Sequence, residues 1–335
     1  MQGKKTLENY VKSAHYRNAL HLPQEQTEHY EVLAQGEYNR NYLFTHPVTG
    51  KQLILRVNYG SQMHLEHQIE YEYHALELLK HSGRTPQVYY VDGSKQLLEN
   101  GVLVMEYLPG HALDYKTELS GAAACLADIH SVPLPEHHGL IHPKDPLQTI
   151  LRECEEMFSV YEGSDLGTAE KKHYIRELLD LGWKRAEKTR LDAAHVCCIN
   201  TELNSTNFLM NGSGAPDYLI DWEKPLAGDP AQDLGHFLAP TTTFWKTDVI
   251  LYREEIETFL GRYLRAVDSR FPAERVREHT GAFIPITCLR GITWCAMAWI
   301  QYQQPGKQIF NESTYKKLQA YLDMEFLEGI REYLR

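Results

Sequence analysis

Over the first third of the chain, apolar and polar positions alternate in short runs. Glu31–Leu33 and Asn41–Phe44 read as strands on either side of Gly36-Glu37-Tyr38-Asn39. Gln52–Val57 follows the turn-like Pro47-Val48-Thr49-Gly50, and the three runs predict an antiparallel meander. Leu65, Ile69, Tyr73, Leu76 and Leu79 then recur at helical spacing, which predicts a helix over His64–His81. Val88–Val91 and Val102–Met105 read as two further strands, and Glu106–Gly110 as a linker.

Beyond the linker the period becomes helical. Ser120 is placed to cap a helix with Ala123, Leu126, Ala127 and His130 on one face. Thr168 is placed to cap another, carrying Ile175, Leu178, Leu179 and Ala186. Two short apolar runs, Asn207–Met210 and Tyr218–Ile220, flank Asn211-Gly212-Ser213-Gly214 and predict a hairpin. Val249–Val267 and Phe283–Tyr302 are helical again. The expected class is α+β. A small antiparallel β lobe spans residues 1–105, a hinge 106–110, and a larger helical lobe 111–335. A chain of 335 residues suits two such units.

Composition narrows the chemistry. There are 34 Lys and Arg against 45 Asp and Glu, a net charge of −11, which disfavours nucleic acid as partner. Nearly all the acidic excess follows Met105, so it either keeps the helical lobe soluble or favours a cationic small molecule. The six cysteines form no CxxC pair, so a zinc knuckle is not expected. No apolar run long enough to span a bilayer and no leader-like start is read, so no membrane is expected and the cytoplasm is the expected compartment. His137, His138 and His142 are metal-like in type, but their Pro- and Gly-rich surroundings read as a solvated loop.

The stretch richest in chemistry runs from Cys198 to Leu234. Glu202 is followed five residues later by Asn207, and after the hairpin by Asp221. A carboxylate, an amide and a second carboxylate in this order suit Mg²⁺-dependent phosphoryl transfer. The first carboxylate orients or deprotonates a hydroxyl, and the other two oxygens hold metal on the nucleotide phosphates.

These residues resemble the aminoglycoside phosphotransferase and choline kinase superfamily, whose pattern is HGDxxxxN, IDW(E/D) and GDPxxDL. Ile220-Asp221-Trp222-Glu223 and Gly228-Asp229-Pro230-Ala231-Gln232-Asp233-Leu234 match closely. Leu103–Gly110 resembles the family's hinge, Leu126–His130 its LaxLH helix, and Leu289-Arg290-Gly291-Ile292-Thr293-Trp294 a late helix of the choline-kinase-like branch. The departure is Asn200-Thr201-Glu202 in place of HGD, with Glu202 where the family has Asp and Asn200 where it has His. The extra methylene shifts the carboxylate by roughly a bond length, enough to matter for catalysis.

The resemblance implies a protein-kinase-like bilobal fold, ATP or another nucleoside triphosphate with Mg²⁺ as cofactors, and a small-molecule hydroxyl acceptor. It implies catalytic roles for Glu202, Asn207 and Asp221, with metal on Asn207 and Asp221. It places Gly36 in the phosphate-covering loop, makes Arg56 the phosphate-gripping base and pairs it with Glu72, preferred over Glu70. It gives Met105, Glu106 and Tyr107 to the adenine through their backbone. His130, Asp229 and Asp233 are expected to be structural. The implied activity is phosphorylation of a small, cationic molecule of aminoglycoside, choline/ethanolamine or amino-sugar type. Trp294, Trp299 and Tyr302 are candidates for an aromatic wall. The alternative is a catalytically impaired, nucleotide-binding regulator of pseudokinase type. The sequence carries no indication of oligomeric state.

Overall fold

The computed structural model describes residues 6–304 and 311–334. Helices α1 (Leu7–Val11) and α2 (Ala14–Ala19) open it, capped by the hydroxyls of Thr6 and Ser13. A five-stranded antiparallel sheet follows, formed by β1 (Glu31–Gln35), β2 (Asn39–Thr45), β3 (Gln52–Asn58), β4 (Val88–Asp92) and β5 (Gly101–Glu106) in the order β1-β2-β3-β5-β4. Helix α3 (Gln68–Leu79) lies between β3 and β4 in sequence. Alternation along β3 and β5 separates two faces. Leu53, Leu55, Val57, Val102 and Val104 pack with Tyr10 and Tyr16 of the opening helices. Leu103 and Met105 pack instead with Ile69, Leu76 and Leu79 of α3. Arg56 falls on the α3 face by the same period of two, and this aims it at Glu72.

The helical lobe begins with β6 (His111–Ala112), α4 (Leu119–His130), α5 (Pro146–Glu162) and α6 (Ala169–Lys188). Short strands β7 (Cys197–Ile199), β8 (Phe208–Met210), β9 (Tyr218–Leu219) and β10 (Leu226–Gly228) follow, then α7 (Pro230–Leu238), α8 (Pro240–Lys246), α9 (Arg253–Val267), α10 (Val276–Gln303), α11 (Glu312–Tyr321) and α12 (Met324–Leu334). α10 is the axis against which α5, α6, α7 and α8 pack. It is long and apolar enough to cross a bilayer, yet 72% of its most apolar window is buried inside the protein, so it serves as a core helix. All six cysteines are free and buried.

The hairpin expected around residues 211–214 forms, pairing Phe208 with Leu219 and Leu209 with Tyr218. Thr168 caps α6 as expected, accepting from the Lys171 N–H. Three expectations shift. α3 starts at Gln68 because His64 takes a left-handed φ of +56°, which no helix interior permits. α4 starts at Leu119, so Ser120 lies inside the helix and caps nothing. α9 starts at Arg253, not Val249. Helices α5, α7 and α8 were not expected, although each carries Pro in its first turn, a start signal.

Candidate active site

Two loops meet beneath the sheet. One runs from β7 to β8 and carries residues 200–207; the other runs from β9 to β10 and carries residues 220–225. Pairing of β7 with β10 and of β8 with β9 brings them side by side. The Ile220 N–H donates to the Asn207 carbonyl at 2.9 Å. Asn200 Nδ2 donates to the Asp221 carbonyl at 2.8 Å, and Asn207 Nδ2 to the Glu202 carbonyl at 3.0 Å. Glu202, Asn207 and Asp221 are thus drawn together by backbone-directed bonds from asparagine amides.

Both loops are held in unusual conformations. Thr201 has φ +68° and Asp221 φ +66°. The left-handed region is uncommon but tolerated for Asp, and an outlier for a β-branched residue. Thr201 stands where the HGD pattern has glycine, which adopts that φ freely. The surroundings hold it there. Asp233 accepts from the N–H groups of Asn200 and Thr201 at 2.8 and 2.7 Å, and Thr201 Oγ1 donates to the Lys224 carbonyl at 2.8 Å. Asp233 in turn meets His130 Nε2 at 3.2 Å, and His130 Nδ1 meets the Tyr263 hydroxyl at 2.9 Å. His130 and Asp233 are fully buried and act as a brace beneath the loop. Asp229 caps α7 and pairs with His279.

On the sheet side, Arg56 forms an ion pair with Glu72 and lies 3.6 Å from Asp221. Its Nε donates to Asn41 Oδ1 at 3.1 Å. Glu72 is buried, whereas Glu70 is partly exposed and faces His67. Burial pushes the Glu72 carboxyl up to about 7 even with Arg56 beside it. Burial also raises Asp221, and burial together with the charge of Asp221 pushes Glu223 up to about 8. Glu223 accepts from Asn39 Nδ2, at the start of β2 beyond Gly36. Gly36 itself sits in the β1–β2 turn, where an added Cβ would meet only the Asn39 carbonyl at 3.8 Å.

Four carboxylates, Glu72, Asp221, Glu223 and Glu202, thus converge around Arg56, each perturbing Arg56 or another of the set. Glu72 Oε2 is buried without a hydrogen-bond partner. Among the described residues no group of three or more His, Cys, Asp or Glu side chains is arranged to hold a metal alone. What the site offers is a pair of hard oxygen ligands, one on Asn207 and one on Asp221, in a locality short of positive charge. That donor set fits Mg²⁺ carried by nucleotide phosphates, because Mg²⁺ keeps several waters and needs few protein ligands. Asn207 is suited to it: Nδ2 is committed to Glu202, which turns Oδ1 the other way.

Glu202 has its own partners. Gln62 Nε2 and Arg290 Nη2 each donate to Oε1 at 3.2 Å. Arg290 reaches from α10 and also holds Glu153 of α5 at 3.2 Å; Lys224 lies 3.5 Å from the same carboxylate. A small cavity beside them is lined by Thr201, Lys224, Gln232, His236, Thr287 and Arg290.

Of the residues singled out in the sequence, the loops and the sheet bring Arg56, Glu72, Asn207, Asp221 and Glu202 together. The hinge is less simple. The Glu106 and Tyr107 N–H groups donate to the Gln87 and Gln52 carbonyls, so they are already committed within the protein. Met105 lies in β5 between Ile54 and Val88. The aromatic wall also dissolves: Trp294 meets Trp245, Trp299 packs on Tyr161, and Tyr302 stacks on Tyr315. His137, His138 and His142 lie in the loop before α5, with the rings of His138 and His142 6.4 Å apart. Sequence reasoning missed Gln62, Asn39, Glu153 and Lys224 and left Arg290 as motif only. The signal for Arg290 was the LRG segment together with a lengthened acid that needs a partner.

A small antiparallel lobe over a helical lobe, with an Arg–Glu pair above an Asn/Asp loop pair, is the protein-kinase-like architecture of small-molecule phosphotransferases. The chain belongs to the phosphotransferase enzyme family APH, whose model matches residues 29–279. Among solved structures it is similar to a microcompartment-associated aminopropanol kinase, at 16% identity and TM-score 0.67 over 98% of this chain and 97% of that one. It is likewise similar to an ethanolamine kinase from Plasmodium vivax, at 15% and 0.65 over 99% and 91%. A spectinomycin phosphotransferase, APH(9)-Ia, bound to ADP and spectinomycin, matches at 14% and 0.61 over 92% and 93%. No curated protein sequence matches the chain.

Proposed function

We propose that this protein is an ATP- and Mg²⁺-dependent kinase that phosphorylates a hydroxyl of a small, cationic molecule. Residues 1–105 hold the nucleotide, 106–110 form the hinge, and 111–335 carry the catalytic loop and the acceptor pocket. The observation that carries the reading is the convergence of Glu202, Asn207 and Asp221 with Arg56 through the contacts described above. Arg56, kept in place by Glu72, binds nucleotide phosphates. Asn207 and Asp221 would hold Mg²⁺, which would supply charge neutralisation at the phosphates. Glu202 orients the acceptor hydroxyl and takes its proton. The acidic excess after Met105 supports a cationic acceptor, as do neighbours described as ethanolamine and aminopropanol kinases.

The test is ATP consumption with a panel of aminoglycosides, choline, ethanolamine, amino sugars and homoserine. Turnover with an amine-bearing alcohol is expected. MgATP binding without turnover on any acceptor would instead support the silent regulator. In that protein Glu202 would serve only as an ion-pair partner of Arg290.

A further inference from the structure

We infer that Arg290 is a positioning residue for Glu202, and that it is what lets a glutamate work where the family pattern has an aspartate. The inference rests on the kinase reading above. A glutamate side chain has one more rotatable bond than an aspartate, so at this place it needs an external hold to keep its carboxylate in a reactive geometry. The structure supplies that hold on one oxygen. Arg290 Nη2 and Gln62 Nε2 both donate to Oε1 at 3.2 Å, and among the described residues Oε2 takes no hydrogen bond. Oε1 is thereby anchored, and Oε2 is left for the acceptor hydroxyl.

Arg290 is itself anchored. Its Nε donates to Glu153 Oε2 at 3.2 Å, and its side chain, only 19% exposed, lines a small cavity with Glu153 of α5 and with Gln232 and His236 of α7. Lys224 Nζ stands 3.5 Å from the same Glu153 oxygen, so the four charges form the sequence Lys224–Glu153–Arg290–Glu202 and balance. An arginine suits this post better than a lysine because its planar fork donates in two directions at once, to Glu153 through Nε and to Glu202 through Nη2. The other grip, Gln62, comes from the segment between β3 and α3, so the carboxylate is clamped from both sides of the cleft.

The test is a cycle of Arg290→Gln, Arg290→Lys, Glu202→Gln and the double variant Arg290→Gln/Glu202→Gln, assayed with ATP and an acceptor the wild type turns over. Arg290→Gln is expected to lower kcat by about 10- to 100-fold, with the KM for MgATP unchanged. Arg290→Lys should recover part of the loss. In the double variant the losses should not add, because Arg290 acts through Glu202. Additive losses, or a KM effect with kcat intact, would overturn the inference while leaving the kinase reading standing. A wild type inactive on every acceptor overturns both. Folding is controlled by melting each variant. Glu153 keeps Lys224 when Arg290 is removed, so a melting loss large enough to account for the kcat change would assign Arg290 a structural role only.

Discussion

Two arginine–glutamate pairs stand at opposite ends of the site, and they differ in what surrounds them. Arg56 and Glu72 are sealed between the sheet and α3, with side chains 7% and 1% exposed, and Glu72 keeps one oxygen unpartnered. Glu202 and Arg290 are 26% and 19% exposed and belong to a network with Gln62, Glu153 and Lys224. In the first pair Glu72 depends on Arg56 as its counter-ion, while Arg56 also meets Asn41 and Asp221. In the second, loss of one member leaves the rest with partners and with water. The sealed pair therefore couples its end of the site to stability, whereas the networked pair leaves Glu202 free to be tuned.

The largest expected effect follows from the sealed pair. Arg56→Leu strips Glu72 of its counter-ion and should cost up to about 3–5 kcal/mol, as breaking buried pairs does, with the loss limited by proton uptake at Glu72, which is already pushed up to about 7 beside Arg56. Denaturant unfolding measures it. Arg56→Leu/Glu72→Leu should regain most of the loss, and if it does not, the pair is not the origin. At the networked end the effect moves from stability to rate. Glu202→Gln should lower turnover by about 10²–10⁴-fold while MgATP affinity stays nearly unchanged. Its unfolding midpoint should stay close to wild type, and a large drop there would erase the contrast between the pairs.

The two ends were also unequally legible in the sequence. Arg56 and Glu72 were placed by the resemblance to the family's strand base and helix carboxylate; the strand's period of two and the helix's period of 3.6 explain why those two positions face each other. The hairpin that joins Asn207 to Asp221 was readable from its Asn-Gly turn and short apolar flanks. Arg290, Glu153 and Gln62 come from three separate elements that only tertiary packing brings to Glu202, and no local period encodes that meeting. α10 illustrates the same limit. Being largely apolar, it gives little sign of which face would point Arg290 at Glu202. The α3 boundary failed for a local reason, a left-handed His64 that apolar spacing does not register.

A third effect probes Asn207 and Asp221, the proposed metal ligands. Ligand at 100 times its Kd raises stability by about 2.7 kcal/mol. MgATP at that excess should stabilise the wild type by this amount, and ATP with chelator much less. Asp221→Ala should lose most of the MgATP-dependent shift in thermal melting. An equal shift in both proteins would remove Asp221 from the nucleotide site and leave Arg56 as its sole anchor on the sheet side.

The smallest effect is a pH dependence carried by the crowded carboxylates. Glu223, pushed up to about 8 by burial and by Asp221, holds a proton in the folded protein that it releases near pH 4.5 when unfolded. Between those values the folded state binds more protons than the unfolded state, so stability falls as pH rises. Glu72, pushed to about 7, acts in the same sense. The half-buried His195 and His236 are shifted the other way, with His236 at about 3, and they raise stability with pH only up to the ordinary histidine range near 6.5. From pH 7 to 8.5 the carboxylates therefore dominate, and the ligand-free melting temperature should drop across that window. Glu223→Gln removes the titrating group and should flatten the drop. MgATP should flatten it too, because a bound divalent cation favours the ionised carboxylates that the empty cleft resists. A slope identical in wild type and Glu223→Gln would show that Glu223 stays ionised throughout, paired through Asn39 and not protonated. The contrast between the charge-starved Arg56 end and the balanced Glu202 end would then rest on Glu72 alone.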